Sequence, residues 1–109
     1  MNDIEKITEE LVKFRDERDW EQFHNSKDLA LAITIESSEL LEEFLWKQAD
    51  EADINNIKDE LADILTYSFL LAEKYGFDVK EIILNKMKKN REKYPIEKAK
   101  GTSRKYNEL

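Results

Sequence analysis

The segment Leu29-Ala30-Leu31-Ala32-Ile33-Thr34-Ile35-Glu36-Ser37-Ser38-Glu39-Leu40-Leu41-Glu42-Glu43-Phe44 repeats its apolar residues at helical steps. Leu29, Ala32, Ile33, Leu40 and Phe44 form one stripe, and the position that should complete it between Ile33 and Leu40 is Glu36. Glu39 and Glu43 follow on the same strip at steps of three and seven. A second segment repeats the anomaly: Ile57, Leu61, Ile64 and Leu65 mark a buried side while Glu60 and Asp63 stand at its edge, three residues apart. Carboxylates held against apolar positions cost several kcal/mol each, on the order of magnitude known for buried ions, unless they face water or share a cation.

Working outward, the spacing predicts four helices, near Ile4–Arg18, Lys27–Gln48, Ile54–Tyr75 and Asp78–Lys93. Asn25 or Ser26 is a fitting N-cap for the second, Ala49 to Asp53 forms a turn, Gly76 is a natural stop for the third, and Asp78 with Glu81 three residues on resembles a capping box for the fourth. Short connections between helices predict an all-α, antiparallel four-helix bundle-like protomer over residues 1–95. Beyond Pro95 the segment 96–109 has no periodicity and is expected to be a flexible basic tail.

Composition narrows the function. The chain has 109 residues, of which 39% are charged and 40% hydrophobic, with no Cys and one His. One domain is expected, with no disulfide, no thiolate metal site and no cysteine nucleophile. No apolar run approaches the roughly 18 residues of a bilayer span, and Met1 to Glu5 lacks the basic and apolar regions of an export signal, so a soluble, cytoplasmic protein is expected. Through residue 83 there are 9 Lys and Arg against 22 Asp and Glu, a balance of −13; from Leu84 onward there are 9 against 3, a balance of +6. Such an acidic body disfavours nucleic acid, whereas the basic end suits a small polyanion or simply a solvated tail.

Two helices each carrying an E-x-x-[ED] pair can bring four carboxylates together. Oxygen donors alone suit Mg²⁺ or Mn²⁺, and the two helix-borne Glu-x-x-His pairs of a di-iron bundle cannot be made by a chain with one His, whose single such spacing, Glu21 to His24, lies in the connector. Hard cations among carboxylates also bind phosphate oxygens, which implies a phosphate ester or anhydride as substrate. Placed on continuous helices, Trp46 would share the strip of Glu39 and Tyr67 that of Asp63; with Trp20 and His24 these could stack a nucleobase. Lys86, Asn90, Arg91, Lys93 and Tyr94 could cover a polyphosphate, or merely complement the C-terminal end of their helix. In a chain with 25 acids, E-x-x-[ED] pairs also arise by chance, and the competing reading is a non-catalytic helical interaction module with an acidic face.

The runs Phe14-Arg15-Asp16-Glu17-Arg18-Asp19-Trp20-Glu21-Gln22-Phe23-His24, Glu36-Ser37-Ser38-Glu39-Leu40 with Trp46-Lys47, Glu60-Leu61-Ala62-Asp63-Ile64-Leu65 with Tyr67, and Asn85-Lys86-Met87 through Asn90-Arg91-Glu92-Lys93-Tyr94-Pro95 resemble the MazG-like nucleotide pyrophosphohydrolases, in particular their dCTP pyrophosphatase branch. The resemblance spans Phe14 to Pro95. It implies a Mg²⁺-dependent split of a nucleoside triphosphate into monophosphate and diphosphate, with the metal on Glu36, Glu39, Glu60 and Asp63. It further implies a base and sugar pocket of Trp20, His24, Trp46 and Tyr67, phosphate contacts from Lys86, Asn90, Lys93 and Tyr94, and a homodimer or homotetramer whose pocket can draw on two chains. Glu36 or Glu39 could accept the attacking water's proton, or the cation alone could activate it. Ser37-Ser38 stands where the family usually has Gly, and the segment from Trp46 to Glu60 is shorter than in animal members. Both departures bear on the choice of base, for which dCTP or a modified dCTP competes with dUTP and with a broad range of nucleotides.

Overall fold

The computed structural model describes residues 1–109, and all of its regular structure is helical. Five α-helices follow in order: α1 Asp3–Glu17, α2 Ser26–Glu42, α3 Ile54–Lys74, α4 Val79–Lys93 and the single turn α5 Ile96–Ala99. Short 3-10 turns lie at Glu21–Phe23, Ala49–Glu51 and Tyr106–Glu108. No helix is long and apolar enough to cross a membrane.

Each long helix starts where a short polar side chain can satisfy its first free N–H groups. The Asn2 side chain accepts from the Glu5 N–H, Asn25 from Asp28, Asp53 from Asn55 and Asn56, and Asp78 from Glu81. Asn25 is therefore the cap of α2 and Ser26 its first residue. The end of α3 is equally well defined. Gly76 takes φ +68°, its N–H donates to the Glu73 carbonyl, and the Phe77 N–H donates to Ala72 at 2.9 Å, a Schellman closure that requires the left-handed conformation glycine adopts without penalty.

The second helix departs from expectation. It ends at Glu42 rather than Gln48, and the chain continues through residues 43–47 as turns bonded at a three-residue step: Phe44 N–H to Leu41, Leu45 to Glu42 and Lys47 to Phe44. Glu42 and Glu43 place negative charge at the negative end of the helix dipole, and no basic residue offsets them in the last turn. Trp46 consequently lies outside any helix, at φ +63° and with its side chain fully exposed. Its supposed alignment with Glu39 does not exist.

The chain forms two compact units, Met1–Phe77 and Asp78–Leu109. In the first, α2 packs along α3, and α1 lies against α3. Few side chains are withdrawn from solvent: Leu29, Leu70, Ala52 and Ala72 form the apolar core, and Arg15 is buried with them. In the second unit, residues 96–109 take local structure where none was expected. Tyr106 meets Tyr94 edge-on, with ring centroids 6.2 Å apart, and the Lys93 Nζ stands 4.9 Å from the Tyr106 centroid.

Candidate functional site

The length of α3 beside α2 brings the acid pairs of the two helices to one place. One carboxylate oxygen each from Glu36, Glu60 and Asp63 lie within 4.8 Å of one another. Glu36 and Glu60 are half-buried, and Asp63 is exposed. The Oε2 atoms of Glu36 and Glu60 are withdrawn from water with no hydrogen-bond partner. Buried acceptors of this kind are costly unless something positive meets them.

The electrostatics record that tension. Burial pushes the Glu36 carboxyl up from its ordinary 4.5 to about 7, assisted by the adjoining Glu39, Asp63 and Glu60. Glu60 is raised by the same causes, burial first and then Glu39, Asp63 and Glu43. Glu39 is thus near both, one turn beyond Glu36 on α2. Four clustered oxygens-only donors, two with orphaned oxygens, fit a hard divalent cation in the Mg²⁺ or Mn²⁺ class.

Next to the acids lies a cavity of about 220 Å³. Its first wall is Leu11, Phe14 and Arg15 of α1; its second is Trp20 and His24 of the connector; its third is Asp63, Thr66, Tyr67 and Leu70 of α3. Asp63 therefore belongs to both cluster and cavity. Trp20 packs edge-on against Phe14 at 5.8 Å between centroids, and His24 meets the edge of Tyr67 at 6.3 Å. His24 is held below its ordinary 6.5 by burial and by the positive charges of Arg15 and Lys74, and its Nδ1 is buried without a partner. Tyr67 is raised by burial and then by Glu36, Asp63 and Glu39, so its hydroxyl keeps its proton.

Of the aromatic residues expected at the pocket, Trp20, His24 and Tyr67 meet there, and Trp46 does not line it. Lys86, Asn90 and Lys93 follow one another along a single face of α4, with Arg91 in its last turn and Tyr94 as its C-cap, all within the second unit. Arg15 and Thr66 were not singled out from sequence. Arg15 carried a usable signal, because it falls four residues after Leu11 on the apolar side of α1, the same interruption that marked Glu36.

Residues 31–109 match the sequence model of the MazG-like family. The chain belongs to the MazG-like family. It is 39% identical to human dCTP pyrophosphatase 1 over 114 aligned positions, which cover 97% of this chain and 67% of the human protein. Identity with the Bos taurus dCTP pyrophosphatase 1 is 37% over the same share of this chain and 68% of that protein. Among solved structures, a pyrophosphatase from Archaeoglobus fulgidus superimposes with a TM-score of 0.81 at 35% identity, covering 87% of this chain and 94% of its own. The match to the MazG-like family runs through Leu109 and so includes the segment after Pro95.

Proposed function

We propose that this MazG-like chain is a divalent-metal-dependent nucleoside triphosphate pyrophosphohydrolase, turning (d)NTP and water into (d)NMP and diphosphate. The observation that carries the reading is the meeting of Glu36, Glu60 and Asp63 oxygens within 4.8 Å beside a cavity that shares Asp63 and is walled by Trp20, His24 and Tyr67. The relatives named dCTP pyrophosphatase 1 favour dCTP as substrate; a modified dCTP as the substrate and nucleotide-pool housekeeping in the cytoplasm as the role are further parts of this proposal.

In this reading Glu36, Glu39, Glu60 and Asp63 hold Mg²⁺ or, alternatively, Mn²⁺. Bound there, the cation supplies neutralisation of triphosphate charge and orientation for in-line attack at the α-phosphorus. Of these acids, Glu36 or Glu39, whichever stands outside the cation's innermost ligands, would take the proton from the attacking water, unless the cation alone activates it. Trp20 and Tyr67 offer aromatic surface to the base, and neutral His24 can accept a hydrogen bond at Nδ1. The expected phosphate contacts, Lys86, Asn90, Lys93 and Tyr94, belong to this proposal, with the cationic face of α4 as their support.

A homo-oligomer of four-helix bundle-like protomers also belongs to it. Leu31, Ile35 and Leu41 of α2 and Leu61 and Leu65 of α3 are all exposed on the single chain, apolar side chains that a second copy would cover. Trp46, fully exposed and outside its own cavity, is suited to reach the pocket of a second copy.

The test is diphosphate release from a panel of the common nucleoside triphosphates and 5-substituted dCTP analogues, with Mg²⁺ and with EDTA. Metal-dependent release favouring the dCTP group is expected. Release spread over many bases would keep the reaction and discard the specificity; no release from folded protein would return the acids to a charged surface and favour a helical interaction module.

A further inference from the structure

Arg15 is the one charged side chain in the buried set, with 7% of its surface exposed, yet it lines the cavity. Its guanidinium faces three acids and hydrogen-bonds two of them. Nε donates to Asp16 Oδ1 at 2.9 Å and Nη1 to Glu73 Oε2 at 3.3 Å, while Nη2 pairs with Asp16 Oδ1 at 2.9 Å and lies 3.8 Å from Glu21 Oε2. Glu21 opens the 3-10 turn of the connector between Trp20 and His24, and Glu73 lies near the end of α3. The Arg15 carbonyl accepts from Trp20 N–H at 3.1 Å and Arg18 N–H at 3.2 Å, around an Asp19 with φ +54°. The residue therefore touches the elements that carry all three walls: it is part of α1, and its guanidinium reaches Glu21 of the connector and Glu73 of α3.

We propose that Arg15 is a positioning residue of the cavity, a buried strut whose guanidinium fixes the connector carrying Trp20 and His24 against α1 and α3, and so sets how tightly a base is held. The inference rests on the reading that this cavity takes the nucleotide base. Two of its five N–H donors are hydrogen-bonded to acids and a third carboxylate lies 3.8 Å away, so the guanidinium is turned toward the protein's own acids, as a positioning group would be. A methionine there would keep the stem's packing and lose the fork. A lysine would keep the charge without the planar geometry that reaches Glu21 and Glu73 together.

Two readouts test this in Arg15→Met and Arg15→Lys. In a Trp46→Phe background, where Trp20 is the sole indole, Arg15→Met should leave Trp20 more open to acrylamide quenching without nucleotide, and Arg15→Lys should fall between. In the chain that keeps Trp46, Arg15→Met should raise the nucleotide KM about tenfold while kcat stays within about threefold, the pattern of lost uniform binding. A variant that melts earlier but keeps parental quenching and KM would make Arg15 a purely structural residue and overturn the proposal. If Arg15→Met does not fold, Glu21→Gln cuts only the exposed connector arm and must still increase quenching and KM; parental values for both would overturn the proposal. Should the parent release no diphosphate at all, the functional reading fails on its own, and the quenching measurement still decides whether Arg15 holds the connector.

Discussion

Replacing Glu36 with Gln should stabilise the metal-free protein and abolish its response to metal. In the folded chain burial and three neighbouring acids hold the Glu36 carboxyl at about 7, against an ordinary 4.5. A raised carboxyl contributes stability fully below the unfolded value and loses it as pH climbs from 4.5 through 7. The full separation, at about 1.4 kcal/mol per pH unit, caps the loss at ~3.5 kcal/mol; partial solvent access reduces it to roughly 1–2 kcal/mol. At pH 8 without metal, Glu36→Gln should therefore melt about 5–10 °C above the parent, using the usual conversion for a domain of this size. The difference should vanish near pH 4.5. Adding Mg²⁺ reverses the order, because a cation at about a hundred times its Kd stabilises the parent by about 3 kcal/mol and the variant lacks the ligand. Thermal melts at pH 5 and 8, each with EDTA and with Mg²⁺, give the four numbers. A variant less stable than the parent at pH 8 in EDTA, or one that keeps the Mg²⁺ shift, would refute the reasoning.

The other predictions concern single contacts. Glu39→Gln should lower turnover by about a hundredfold or more, the range of a lost base or metal ligand, with the helical circular dichroism signal unchanged; retained activity would remove Glu39 from the mechanism. Trp46→Ala should raise nucleotide KM more than it lowers kcat, measurable by initial rates, and the opposite split would argue against stacking. His24 sits below its unfolded 6.5, so its neutral form favours folding and that contribution is lost as pH falls from 6.5 toward the folded value. His24→Gln should flatten this acid limb of the stability profile. Gly76→Ala should cost about 1 kcal/mol in a denaturant titration, a conformational cost, since an added Cβ would meet nothing within 4 Å.

The helices were legible because their caps are local. Asn25, Asp53, Asp78 and Gly76 each act within four residues, and sequence sees that distance well. The acid pairs were legible for a related reason: a carboxylate on an apolar stripe is an anomaly at helical spacing, and the meeting of Glu36 with Glu60 and Asp63 needs only that two such stripes face each other. Trp46 was misplaced because α2 ends from unfavourable charge rather than at a breaker; Glu42 and Glu43 look like ordinary helix formers to a propensity reading. The helical pattern marks Arg15 as an interruption of an apolar side, but its tie to Glu73, 58 residues away in the chain, is one that no local pattern encodes.

The turn at Trp46 has a consequence for how far this sequence could be improved as a lone molecule. A bulky side chain in the left-handed region costs about 1–2 kcal/mol, and an indole wholly in water recovers nothing of that by packing. Glycine at this position would make a sturdier monomer. A search for thermostable variants scored by melting temperature alone would therefore select against Trp46 early, and would enrich proteins that survive heat while losing the indole that the proposed function assigns to a nucleotide pocket.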